Sequence, residues 1–152
     1  MITYDYVEPK QTPEEAVRFL QEVLFPLCQD FWDARGKSYY KADKWDIPML
    51  DFVQMWMQRT LVIIAARDAG GEAMGFLIGG LVRPFFYKTN ILKVEVWHGK
   101  TQEVRDGLFA HLGSILKYFS VDRVSVPDFG DGVPALEGFG TVIEEPARTV
   151  AK

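Results

Sequence analysis

The sequence predicts an α/β chain in which a mixed central β-sheet is flanked by helices. Strand-like and helix-like periodicities alternate from Ile2 to the C-terminal end. The apolar runs Leu61 to Ala66 and Ala73 to Val82, separated by Asp68, Ala69, Gly70 and Gly71, read as a hairpin. A further strand, Ile91 to Trp97, passes through a short basic turn into a long amphipathic pattern and then a short strand, the signature of a parallel crossover.

Each element has a local reason. Residues Ile2 to Val7 alternate weakly as a first strand, which Pro9 ends. Thr12, Pro13 and Glu15 then fit the N-cap, N1 and N3 positions of a helix start with a capping box. Val17, Leu20, Val23, Leu24, Leu27 and Phe31 recur at helical spacing. Pro26 lacks an N–H, so the helix is expected to kink or split near Glu22 to Phe25, and Gly36 is expected to end it. A second helix is expected from Asp46, with Pro48 in its first turn and Leu50, Val53, Trp56 and Met57 on its apolar face.

Gly70 and Gly71 supply the hairpin turn because they tolerate positive φ. Gly75, Gly79 and Gly80 mark a bulge or a close neighbour in the second hairpin strand, and Pro84 ends it. In the next strand, alternation predicts Ile91, Lys93, Glu95 and Trp97 on one face, with Leu92, Val94 and Val96 on the other. The third helix is expected from Gln102 to Phe119, with Val104, Leu108, Leu112, Ile115 and Phe119 inward, followed by a strand at Arg123 to Val126. The tail is rich in glycine, and its segments TVIEE and ARTVA are expected to form a last antiparallel pair. The predicted order is β-α-α-β-β-β-α-β-β-β, in one domain spanning residues 1–152.

Composition excludes several classes. With 48% apolar and 14% aromatic residues, disorder is not expected. The apolar runs are too short for a membrane span of about 18 residues, and the N-terminal decapeptide lacks the pattern of a secretory signal. The single cysteine, Cys28 in VLFPLCQDF, reads as a buried thiol and rules out an internal disulfide. These features suit the cytoplasm. A net charge of -4 without a Lys/Arg stripe argues against nucleic acid as a partner. Neither histidine has acidic residues at helix-ligand spacing, so no metal site is expected, and no GxSxG elbow occurs.

The order of elements resembles that of the GCN5-related N-acetyltransferase (GNAT) family over nearly the whole chain. Two helices between the first two strands, a long hairpin and a helix after the fourth strand follow that plan. The ending LEGFGTVIEEPARTVAK, with Gly138 and Phe139 before a strand and Lys152 last, is similar to the family's ending. The resemblance implies acetyl-CoA as co-substrate, an amine acceptor and acyl transfer between them. It also implies that the coenzyme lies along Val96 and Trp97 at the strand end. Its phosphates would meet the turn and first helical residues, with Lys100, Val104, Arg105, Asp106 and Gly107 as the binding set.

Two departures keep a second reading open. In the family's phosphate loop, Lys100 takes the Gln/Arg position, but Glu103 and Arg105 fall where glycines are expected. The usual acid, a tyrosine ahead of the Gly-Phe pair, is replaced by Pro134. The alternative is therefore a non-catalytic binding or structural protein on the same scaffold. For catalysis, Glu95 matches the place where family members carry a base. His98, whose ordinary pKa is near 6.5, is the second candidate for proton transfer or substrate contact. The aromatic loops Lys37 to Trp45 and Phe85 to Asn90 are expected to wall the acceptor site, to serve a homodimer interface, or to tuck back onto the domain.

Overall fold

The computed structural model describes residues 1–83, 90–130 and 132–136, and the backbone of 142–145. Six strands form one sheet in sequence order: β1 (Thr3–Tyr6), β2 (Leu61–Arg67), β3 (Ala73–Val82), β4 (Ile91–Gly99), β5 (Arg123–Pro127) and β6 (Val142–Glu145). β1 to β4 are antiparallel neighbours, whereas β4, β5 and β6 run parallel. Val142–Glu145 of the tail pairs in parallel with β5, and ARTVA, expected as its antiparallel partner, lies outside the described residues.

The helical stretch after β1 is longer than expected and widens into a π-helix twice, at Leu20–Leu24 and at Trp32–Gly36. Thr12 caps α1 (Pro13–Phe19), its Oγ1 accepting from the Glu15 amide at 3.2 Å. The Thr12 hydroxyl also bonds the Glu15 carboxylate at 3.2 Å, so the box closes through side chains. Ahead of Pro26 the chain widens into a π-helical turn at Leu20–Leu24 before resuming as α2 (Phe25–Phe31). A wider turn absorbs the missing proline N–H without breaking the helix.

Gly36 does not stop the helix. Its φ is -62°, and helical structure continues through α3 (Lys37–Tyr40) to Lys41, whose φ of 54° reverses the chain. Glycine is needed there for space: a Cβ would approach Phe31 Cε2 and Trp32 Cε3 to 2.7 Å. The next helix, α4 (Met49–Met57), begins later than Asp46, because Pro48 disfavours helical backbone in the residue before it.

β2 is buried from Leu61 to Ala66, so both of its faces are covered. Adjacent residues of β4 identify the two layers. His98 meets the ring of Phe31 in α2, while Gly99 lies against Val104 and Arg105 of α5 (Gln102–Ile115). α2 and α5 therefore cover opposite faces of the sheet. Gly75 and Gly107 permit the close approach of α5. A Cβ at Gly75 would lie 2.6 Å from Val104 Cγ1, and one at Gly107 would land on the Tyr4 ring. Among the described residues, no helix is long and apolar enough to cross a membrane.

Candidate active site

The site is organised by two irregularities in β4. The first is a bulge. Ile78 pairs with Val96 and Gly79 with Val94, which leaves Glu95 without an opposite residue in β3. The bulge shifts the alternation, so the expected face of Trp97 is corrected. Trp97 turns toward α5, where its ring meets Phe109 edge-on at 5.2 Å. Val96 and His98 turn toward α2 instead, Val96 lining a cavity with α2 residues and His98 meeting Phe31.

The second irregularity is an early divergence from β5. The parallel pairing ends at Lys93 and Ser125, yet β4 continues to Gly99. Beyond Lys93, β4 has no ladder pair on its β5 side among the described residues. Trp97 closes the α5 side of this gap. It is only 1% exposed, and its Nε1–H donates to the Pro127 carbonyl at 3.0 Å. Phe129 packs 5.8 Å from the same ring.

The carboxylate of Glu95 is more than half exposed and lies 3.9 Å from the Lys93 ammonium. His98 is 6% exposed, and its Nδ1 has no hydrogen-bond partner among the described residues. Burial pushes its pKa down to about 4, helped by the nearby Arg35 guanidinium and opposed by Asp30. Its imidazole is therefore neutral at physiological pH, with little affinity for a proton.

The turn from β4 into α5 is held by its own side chains. Thr101 Oγ1 accepts from the Val104 amide at 3.2 Å. The Arg105 guanidinium donates to the Gly99 carbonyl at 2.9 Å and to Gln102 Oε1 at 3.1 Å. The amides of Gln102 and Glu103 have no partner among the described residues. Lys100 stands 3.8 Å from Glu72, and Asp106 accepts from Gln102 Nε2 at 2.8 Å. Two members of the sequence-predicted set also have packing roles: Val104 is fully buried against Gly75 and Gly99, and Gly107 receives the Tyr4 ring. Trp97 and Arg105 come together with Pro134 around a small cavity of about 140 Å³.

A cavity of about 420 Å³ opens between α2 and the loop that follows α3. Phe31 and Trp32, Tyr40 at the end of α3 and Trp45 of the loop line it, and Ile47, Val96 and Cys28 complete the apolar lining; residues Lys37 to Tyr40, expected as loop, are helical. Tyr40 and Trp45 line this cavity, whereas Tyr39 packs 4.8 Å from Phe129. Phe85 to Thr89 lie outside the described residues. The contribution of Phe31 and Trp32 was hidden in the sequence because they continue the core periodicity of the first helix. Burial raises the Cys28 pKa to about 12, so it remains a thiol. Among the described residues, no cluster could hold a metal ion.

No family model matches the chain, and no curated protein matches it. Solved structures do. An aminoglycoside acetyltransferase, meta-AAC0020 from an uncultured soil metagenomic sample in complex with trehalose, superposes with a TM-score of 0.55 at 11% identity over 95% of this chain and 76% of its own. The ribosomal-protein-alanine N-acetyltransferase of Brucella melitensis biovar Abortus 2308 gives 0.52 at 11% identity, covering 95% and 79%. A predicted acetyltransferase with acetyl-CoA from Clostridium acetobutylicum gives 0.54 at 9% identity, covering 82% and 79%. The chain has the fold of the GCN5-related N-acetyltransferases.

Proposed function

We propose that the chain is an acyl-CoA-dependent N-acetyltransferase acting on the amine of a small molecule or protein. The observation that carries this reading is the gap between β4 and β5 beside the bulge at Glu95. Unpaired strand backbone binds extended chains by adding another strand, and the amide-bearing arm of coenzyme A is such a chain. The residues around the turn also suit its phosphates. The amides of Gln102 and Glu103 point out of the first turn of α5, and Lys100 and Arg105 supply positive charge.

Bound acetyl-CoA would supply the acyl group as a thioester, whose C–S bond breaks as the C–N bond forms. The chain must position the amine and remove its proton. Glu95 is the proposed proton acceptor, directly or through water, since the bulge turns it out of the regular ladder into solvent reach. His98 is a poor proton acceptor, because burial and Arg35 disfavour its cation. It serves better as a neutral polar contact behind Phe31. Among the described residues around the small cavity, Gly132, Val133 and Pro134 carry no acidic proton, and water is the proposed proton source for the departing sulfur.

A specific observation favours the non-catalytic alternative. Arg105 and Thr101 already satisfy groups within the turn, and the carboxylate of Glu103 stands in the first turn of α5. Thermal melting with acetyl-CoA separates the two readings. Coenzyme at about 100 times its dissociation constant adds about 2.7 kcal/mol of apparent stability, a rise of roughly 5–10 °C for a chain of this size. An unchanged midpoint in millimolar acetyl-CoA, and in longer acyl-CoAs, supports the scaffold without the chemistry.

A further inference from the structure

The cavity beside α2 has a more specific character than an apolar hole. Its walls are aromatic, and they are held in place before any ligand arrives. Trp32 stacks on Tyr40 with ring centroids 5.8 Å apart and planes 11° apart. Its Nε1–H donates to the Asp43 carbonyl at 3.3 Å. Across the cavity, Trp45 donates to Gln29 Oε1 at 2.9 Å and meets Phe25 edge-on at 5.3 Å. Both indoles are thus tied between the loop and the helical stretch, and both line the cavity.

The rim carries one positive and one negative group. Lys44 and Asp46 both line the cavity, and neither forms an ion pair with a described residue. One carboxylate cannot match a polyamine, and the ammonium of Lys44 would repel one. A purely hydrocarbon ligand would use neither charge. A ligand with an aromatic body and one charge of each sign uses the apolar walls and both charged lining residues. A volume of about 420 Å³ lies within the roughly 300–1,000 Å³ range of small-molecule sites.

We infer that this cavity binds a zwitterionic amino acid with a large aromatic side chain. The ring lies against Trp45 and the Trp32–Tyr40 stack, the ammonium group faces Asp46, and the carboxylate faces Lys44. As the acceptor for acyl transfer, this ligand rests on the function proposed above. As a bound ligand it does not, since no part of the cavity comes from the turn before α5. Val96 belongs both to the cavity wall and to the strand end beside Glu95, so the site and the gap share a border.

The test uses the whole chain without coenzyme. L-phenylalanine is titrated while tryptophan fluorescence is excited at a wavelength that phenylalanine does not absorb. 2-Phenylethylamine lacks the carboxylate, 3-phenylpropanoate lacks the amine, glycine lacks the ring, and spermidine supplies only positive charge. Phenylalanine is expected to bind on the order of tenfold tighter than any of these, the loss typical of one charge-assisted contact. Asp46→Asn should weaken phenylalanine and phenylethylamine but leave phenylpropanoate unchanged. Lys44→Met should weaken phenylalanine and phenylpropanoate but leave phenylethylamine unchanged. Both positions are exposed, so these variants should keep the fold. Equal affinity for phenylalanine and either truncated analogue overturns the zwitterion assignment. Absence of phenylalanine binding, or preference for spermidine, overturns the site. The same samples are melted with acetyl-CoA. A coenzyme shift without phenylalanine binding rejects this inference alone, whereas phenylalanine binding without a coenzyme shift keeps the site and rejects acyl transfer.

Discussion

Trp97 and Pro127 are joined by a buried hydrogen bond of 3.0 Å across the gap where β4 leaves β5. Strand pairing has already ended at Lys93 and Ser125, so this side-chain bond spans what the ladder no longer does. The ring also lies between Phe109 of α5 and Phe129 after β5. The gap therefore has a firm back wall, while the backbone edge of β4 stays unpaired within it. Trp97→Phe keeps most of the ring contact and leaves the Pro127 carbonyl without its partner. The expected loss is about 1–3 kcal/mol in chemical denaturation. A loss below about 0.5 kcal/mol would show that the ring contacts, and not the hydrogen bond, hold the wall.

Gly107 offers a test in which the ordinary sign reverses. Replacing glycine by alanine inside a helix normally stabilises it by about 1 kcal/mol. Here the new Cβ would meet the Tyr4 ring, whose hydroxyl donates to the Glu103 carbonyl at 3.2 Å. Gly107→Ala should therefore destabilise the wild-type chain. In a Tyr4→Ala background the same change should become neutral or stabilising. A double-mutant cycle measured by denaturation reads the coupling. Additive effects would remove Tyr4 as the reason for glycine at this position.

The pattern of successes and corrections follows the range of the interactions involved. Thr12, Pro13, Pro26 and the Asp68 turn act within a few residues, so their consequences were legible. Asp68 Oδ1 accepts from the amides of Gly70 and Glu72, both at 2.9 Å, and Gly71 has a φ of 85°. The bulge was legible only from one side: Gly79 marked a bulge or a close neighbour, but not that Glu95 of β4 would be the extra residue opposite it. The stretch LKVEV alternates and breaks only where Trp97 follows Val96, and the position of the bulge depends on pairing with Ile78 and Gly79 of another strand. Gly36 misled for a related reason: it reads as a helix stop but serves the close cover of Phe31 and Trp32. For the site, the sequence indicated Glu95, the basic turn and the aromatic loop separately. It could not show that Pro134 joins Trp97 and Arg105 at one cavity, because that requires the return of the chain after β5.

His98 should make the fold sensitive to mild acid. Its folded-state pKa lies near 4, below the 6.5 of an unfolded histidine. Above pH 6.5 both states are neutral and the difference has no effect. As pH falls from 6.5 toward 4, the unfolded chain takes up a proton that the folded chain refuses, so stability falls, by on the order of 3 kcal/mol at most. The groups that set the shift are burial, Arg35, Arg105 and Lys100, with Asp30 opposing them. His98→Gln has no such proton to bind. Its melting temperature should fall less than that of the wild type between pH 7 and pH 4.5. Parallel curves for the two proteins would mean that His98 titrates normally in the fold.

Glu95 provides the sharpest test of the chemistry. Its carboxylate stands at the bulge, half exposed and 3.9 Å from Lys93, where it can exchange a proton with solvent as well as with a bound amine. Glu95→Gln preserves size and polarity but removes the proton acceptor. It should leave the acetyl-CoA melting shift unchanged and lower the rate of amine acetylation by about 10²–10⁴-fold, the range of general-base contributions. The defect should grow as pH falls, since a larger fraction of the amine is then protonated and deprotonation limits the reaction more severely. Lys93→Gln separates positioning from proton transfer: it removes the neighbouring ammonium but leaves the carboxylate. Its effect should be smaller and appear mainly as a shift in the pH profile. If Glu95→Gln turns over at the wild-type rate across the pH range, then positioning beside the thioester is sufficient and the carboxylate has no part in the reaction.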